Sequence, residues 1–276
     1  MKTLLIAGFG DIARRAAPEL QARYALQPLS RAAGFDLDRP ETLAALPGAD
    51  AILHCVPPPP RGVSDPRTAN LLAALSKGRI LPSRLVYVST TGVYGDCGGA
   101  RVDESRAVRP GTDRARRRVD AERRLALWCS ARGVALVVLR VPGIYAADRL
   151  PLERLRAGTP VLRPQDDVYT NHIHAEDLAV IVVRALRDAT PSGTYNACDD
   201  SEIRMGDWLD LVAERARLPR PPRIARSEAP GRVAPELLSF MSESRRLANR
   251  RMKEALGARL RYRTVFDGVP LAEGGP

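Results

Sequence analysis

Lysine is nearly absent from this chain: it occurs at Lys2, Lys77 and Lys253, although the formal net charge is +11. The positive charge is therefore almost all arginine, a bias that base composition produces as readily as function does. Aromatic residues make up only 5% of the sequence. A nucleic-acid surface calls for a clustered basic stripe with interleaved rings. The densest basic run, Arg114 with Arg116, Arg117 and Arg118, continues to Arg123 and Arg124 but is broken by Asp120 and Glu122, as on a solvated helix face. Nucleic acid is thus not an expected partner. No run of about eighteen apolar residues occurs, so no membrane-spanning helix is expected. The apolar start, Thr3–Ala7, is too short for a leader and runs straight into Gly-x-Gly, so it reads as a strand and the chain as cytoplasmic. The four cysteines, Cys55, Cys97, Cys129 and Cys198, lie far apart with no Cys-x-x-Cys pair. That pattern suggests neither a disulfide framework nor a zinc site and suits a reducing compartment.

What the chain does have is alternation. Apolar runs occur at Thr3–Ala7, Ala25–Leu29, Ala51–Val56, Leu85–Ser89, Ala135–Val141 and Thr194–Ala197. Runs without polar alternation are the mark of strands buried on both faces. Helical patterns separate them, at Asp11–Tyr24, Pro40–Leu46, Pro66–Lys77, Asp113–Arg132 and Ala175–Asp188, with Pro18 expected to bend or shorten the first. This order predicts an α/β, Rossmann-type, doubly wound parallel sheet. The alternation stops at Tyr145–Tyr169 and again after Asp199. We therefore expect one unit, 1–276, with a core from 1–145 and 170–198 and a small substrate-side lobe from 146–169 and 199–276.

The first strand ends in Gly8-Phe9-Gly10-Asp11-Ile12-Ala13, opening a helix. Gly8 allows a tight turn, and Gly10 lets backbone N–H groups near Asp11 and Ile12 approach a pyrophosphate at the helix's positive end. Ala13 stands at the third glycine position, where a methyl group still fits. At the end of strand two, where NAD sites usually carry an acid, the chain has Ser30-Arg31. A guanidinium with a neighbouring hydroxyl suits a 2′-phosphate, so NADP is expected over NAD. Asp36 and Leu37, after a third short strand, would then line the adenine pocket, and the turn Cys55-Val56-Pro57 would run beside the ribose.

Four further segments carry a resemblance. They are Val86–Asp96, containing Ser89-Thr90-Thr91-Gly92-Val93-Tyr94-Gly95; Leu139–Tyr145, containing Pro142-Gly143-Ile144; Asn171–Ala179, containing His172, His174 and Asp177; and Ser242–Asn249. In this order they resemble the extended short-chain dehydrogenases/reductases, the group of NAD(P)-dependent epimerases and dehydratases. The glycine loop most resembles an atypical branch. The resemblance implies an NADP-binding oxidoreductase or epimerase/dehydratase acting on a small molecule. It implies that Ser89, Thr90, Pro142 and Ile144 lie against the cofactor, with Tyr94, Arg149 and Asn171 beside the substrate. That family couples a Ser or Thr with a Tyr and, four residues later, a Lys. Thr90 matches the hydroxyl. Aligning Pro110 and Glu122 with the family's spacing puts Arg114 at the tyrosine and Arg118 at the lysine.

A guanidinium stays protonated, so Arg114 cannot shuttle a proton as a phenol does, whereas Arg118 can still hold a ribose. Tyr94, Tyr145 and Tyr169 are the substitute acids to examine. His172 and His174 share a strand face but have no third ligand nearby, so no metal is expected, and one of them should be a structural histidine before Asp177. Three functions follow: an NADP-dependent enzyme with a rearranged proton relay, an inactive NADP(H)-binding sensor, or an interaction protein that retains the fold. Self-association should be a weak homodimer at most, through Pro66–Lys77 and the arginine-rich Asp113–Arg132 helix.

Overall fold

Strictly apolar strands sort their side chains between two faces, and the first strand shows it. In β1 (Lys2–Ala7), Leu4 and Ile6 enter one apolar cluster while Leu5 and Ala7 enter another. The structure is a computed structural model and describes residues 1–78 and 81–272. Five more strands join β1: β2 (Tyr24–Leu29), β3 (Ala51–His54), β4 (Arg84–Thr90), β5 (Ala135–Val141) and β6 (Gly193–Asn196). Their order is β6-β5-β4-β3-β1-β2, every neighbouring pair parallel. This is the expected doubly wound sheet.

Helices cover both faces. α1 (Asp11–Gln21) and α4 (Ala175–Ala185) pack on the Leu4/Ile6 face through Ala13, Ala16, Leu20, Leu178 and Val182. α2 (Pro66–Lys77) and α3 (Asp113–Ser130) pack on the other through Leu71, Leu75, Ala121, Leu125 and Trp128. Pro18 does not end α1, which continues through it to Gln21. The helix expected at Pro40–Leu46 is only a 3-10 turn, Pro40–Leu43.

The third short strand expected before Asp36 is not formed. Ser30 instead caps a 3-10 turn, its Oγ accepting from Ala33 N at 3.2 Å, and Gly34 closes the turn at φ +84°. Local capping here wins over strand pairing, and β2 becomes the sheet edge.

A third apolar cluster gathers Leu155, Val161 and Val168 with α5 (Met205–Arg215), Ile224, Val265 and Met241 of α6 (Pro235–Met241). Two-residue strand pairs tie it down, Val161–Leu162 with Arg223–Ile224 and Tyr169–Thr170 with Ile203–Arg204. The stretch after Asp199 does not all join this cluster. Met252 and Leu256 of α7 (Arg250–Leu256) are buried in the first cluster, against α4. Residues 273–276 of the expected lobe lie outside the described residues. No helix among the described residues is long and apolar enough to cross a membrane.

Candidate active site

In an open parallel sheet, ligands collect beyond the carboxyl ends of the strands where the winding reverses. Here that point lies between β1 and β3. Gly8 sits at φ +88°, and a Cβ there would stand 2.8 Å from Val56 N and 3.0 Å from the Cys55 carbonyl carbon. Only glycine allows the two strand ends to approach so closely. A Cβ on Gly10 would meet nothing within 4 Å. Gly10 precedes α1 without a side-chain cap, which leaves the helix's first N–H groups facing open space. Glycine loop, open Cβ position and uncapped helix start together fit a pyrophosphate.

Two cavities run along this edge. The smaller, about 450 Å³, is lined by Gly8, Gly10, Asp11, Ile12, Ala13, Cys55, Ser89, Ile144 and Arg149. The larger, about 770 Å³, is lined by Pro57–Pro60, Arg114, Arg117, Tyr169, Asn171, Phe240, Glu243 and Arg245. They meet at Pro57, Thr90, Arg118 and Pro142, which line both.

The two residues singled out on α3 sit in that cleft. Thr112 caps the helix, accepting from Ala115 N at 3.2 Å. Arg114, Arg117 and Arg118 follow at helical spacing and present one face to the larger cavity. Arg118 is half-buried and anchored through Nη1, which donates to Tyr87 Oη and to the Val88 carbonyl, both at 3.0 Å. Arg114 reaches across to α6, its guanidinium carbon 4.1 Å from the Phe240 ring centroid. Desolvation lowers its pKa from the ordinary arginine value. Thr90 ends β4, and its Oγ1 accepts from Gly92 N at 3.3 Å.

Ser89 lines the smaller cavity and donates to Glu122 Oε1 at 2.5 Å. The same carboxylate accepts from Arg140 Nη2 at 2.7 Å and Nε at 3.2 Å. Glu122 thus knots β4, β5 and α3 together just beneath the cleft.

Of the three candidate tyrosines only Tyr169 lines the larger cavity, with Arg204 and Arg246 5.5 and 5.0 Å from its ring. Tyr94 is buried away from both cavities, its hydroxyl donating to Asn196 Oδ1 at 2.8 Å and its ring under Arg140. Tyr145 is buried too. Its hydroxyl donates to the Thr264 carbonyl, and burial raises its pKa far above the ordinary value.

Asn171 reaches the larger cavity, but its amide clamps a neighbouring segment, donating to the Arg245 carbonyl at 2.9 Å and accepting from Leu247 N at 2.9 Å. Arg149, expected beside the substrate, stands instead in the smaller cavity, paired with Asp11 at 2.8 Å. Asp11 also pairs with Arg15, so its carboxylate is neutralised at the helix start. Cys55 and Pro57 line the cleft, whereas Val56 packs against the second cluster. Ser30, Arg31, Asp36 and Leu37 line neither cavity. Arg31 is exposed, Asp36 Oδ1 accepts from Asp38 N, and Leu37 is buried in the second cluster.

The two histidines are structural. His174 caps α4, Nδ1 accepting from Glu176 N at 3.2 Å. His172 lies against Trp208, and burial pushes it down to about 3. No metal-binding group of three ligands occurs among the described residues.

Arg117, Glu243 and Arg245 were not singled out from the sequence. Arg245 and Glu243 lie within the Ser242–Asn249 segment, so its resemblance was the available signal. Arg245 Nη1 donates to the Gly95 carbonyl at 2.7 Å and pairs with Glu243 at 2.9 Å.

Comparison with known proteins agrees with this geometry. No curated protein sequence matches the chain. Among solved structures, a functionally unknown conserved protein from Silicibacter pomeroyi is 30% identical, with 98% of this chain and 97% of that one covered and a TM-score of 0.77. A putative NAD-dependent epimerase/dehydratase from Methylobacillus flagellatus is 26% identical, with 97% and 96% covered and a TM-score of 0.74. The human epimerase family protein SDR39U1, solved with NADPH, shares the fold at 18% identity, with 99% and 100% covered and a TM-score of 0.76. The sequence pattern of the NAD dependent epimerase/dehydratase family matches residues 14–198. On that match, and with the glycine loop and cleft in place, the chain belongs to the NAD dependent epimerase/dehydratase family.

Proposed function

We propose that the protein binds NADP(H) in the smaller cavity and acts as a reductase or epimerase/dehydratase-like enzyme on a small molecule in the larger one. The observation that carries this reading is the junction: Thr90 and Arg118 line both cavities. The cofactor, when bound, supplies or accepts a hydride. Gly8, Gly10 and the start of α1 receive its pyrophosphate, and Arg31, exposed beyond Ser30, is free to meet a 2′-phosphate. Arg118, fixed by Tyr87 and Val88, offers a positive donor to a ribose hydroxyl. Thr90 offers its hydroxyl to the substrate oxygen. Arg114 cannot release a proton, so proton transfer falls to Tyr169, the one candidate phenol in the larger cavity. The residues around the third cluster form the substrate-side lobe.

NADPH should raise the melting temperature more than NADH at equal concentration, and Arg31→Asp should reverse the preference. Arg118→Ala should weaken NADPH about tenfold or more, as loss of a charged hydrogen bond does. Equal shifts with both cofactors, or none, would refute the reading. Arg114 at the family's tyrosine position favours a second reading, a cofactor-binding sensor without turnover. A panel of carbonyl substrates with NADPH decides between them, since Tyr169→Phe abolishes turnover only in the first.

A further inference from the structure

Four guanidiniums line the larger cavity, Arg114, Arg117, Arg118 and Arg245, against two carboxylates, Glu236 and Glu243. Glu243 already pairs with Arg245. The acidic partners on α3 serve other arginines, Asp113 with Arg116 and Asp120 with Arg124. Among the described residues, Arg117 and Arg118 donate only to neutral acceptors: the Gly62 carbonyl at 2.5 Å, the Tyr87 hydroxyl and the Val88 carbonyl. Arg114 has no ion pair there, only one face laid on Phe240. Arg117 is buried and braces the rim, which leaves Arg114 and Arg118, one turn apart, as the open cationic pair. Two guanidiniums without a direct ion-pair partner among the described residues, in a concave, partly desolvated space, favour a planar or tetrahedral oxyanion.

We propose that the substrate of the larger cavity is an organic oxyanion, a carboxylate or phosphate monoester, seated on Arg114 with Arg118 behind it. This rests on the assignment of the larger cavity to substrate. The position that hands on a proton elsewhere in the family here fixes the substrate's charged end. Thr90 and Arg118 at the junction line the same cavity as Arg114, so the anionic group and the reacting carbon share that cavity.

The test uses oxalate and inorganic phosphate as probes, with acetamide as the neutral control. Calorimetric titrations are run at constant ionic strength, with and without saturating NADPH. At least one oxyanion should bind wild type while acetamide does not, and the preferred probe tells carboxylate from phosphate. Arg114→Ala should weaken that probe about tenfold or more, Arg114→Lys should retain part of the affinity, and NADPH affinity should be unchanged in both. Failure of both oxyanions to bind wild type in either state overturns the proposal. So does equal affinity in Arg114→Ala, which would place the anion away from Arg114. If NADPH does not bind but oxalate still binds through Arg114, the cofactor reading falls and the oxyanion seat stands.

Discussion

Loss of Glu122 should cost the fold heavily. Its side chain is 12% exposed and that of its partner Arg140 is 9%, so solvent screens the pair little. Truncation to alanine removes two guanidinium contacts at 2.7 and 3.2 Å and the Ser89 hydrogen bond. Arg140 is left charged in the interior without a carboxylate partner, its guanidinium carbon 4.8 Å from the Tyr94 ring centroid. Breaking a buried pair from one side costs about 3–5 kcal/mol. Orphaning the Ser89 hydroxyl adds about 1 kcal/mol, less if it rotates to the cleft. Urea unfolding at pH 7, followed by circular dichroism, should therefore show Glu122→Ala less stable by about 3–6 kcal/mol. Glu122→Gln, which keeps the shape and one acceptor, should lose roughly half as much. In the double variant Glu122→Leu with Arg140→Met no charge is stranded, and most of the loss should be recovered. A loss below about 1 kcal/mol for Glu122→Ala, or no recovery in the double variant, would refute the reasoning.

Three other outcomes are expected. Gly8→Ala should lower stability by about 1–3 kcal/mol and abolish the NADPH-induced thermal shift, because φ +88° and the 2.8 Å approach of Val56 N both exclude a methyl; an unchanged shift would count against the glycine loop as the phosphate site. Burial raises the Asp199 carboxyl to about 7, with Oδ2 left unpartnered, so its neutral form belongs to the folded state. Stability from that proton is complete below the unfolded value near 3.8 and lost as pH rises through about 7. Asp199→Asn should therefore gain on wild type between pH 5 and 8, and parallel melting curves across that range would contradict it. Light scattering should find no dimer at nanomolar concentration, although Leu127 on α3 is 67% exposed, because the flanking arginines repel across a twofold axis.

The sheet was legible in the sequence because buried parallel strands are written as unbroken apolar runs, and all six of those runs end within two residues of the observed strands. The helix starts expected at Asp113 and Ala175 are the observed ones. The region Ser30–Asp50 was not, because capping by Ser30 and the αL turn at Gly34 are one-residue decisions that outweigh a weak strand pattern. In the cleft, the residues set by the glycine loop and by α3 spacing were found. Tyr94 and Arg149 went astray for one reason. Side-chain direction in the 3-10 turns Thr91–Tyr94 and Ala147–Arg149 depends on partners distant in sequence, Asn196 for Tyr94 and Asp11 for Arg149. Arg245 owes its place to Asn171 holding its carbonyl across 74 residues, a contact no local pattern records.

Pro57–Pro60 gives the cleft an asymmetry of mechanics. Four successive residues there have fixed φ and no amide hydrogen, and Arg67 pins the first by donating to its carbonyl at 2.9 Å. A guest therefore meets on that side a stiff jaw that offers acceptors and apolar rings but no backbone donor. The facing jaw is the seven-residue α6 with the segment after it, held by Arg114 on Phe240 and by the Arg226 bond to the Met241 carbonyl. Any adjustment to the guest's size must come from this second jaw. Selection by fit is thus fixed on one side of the cleft and adaptable on the other.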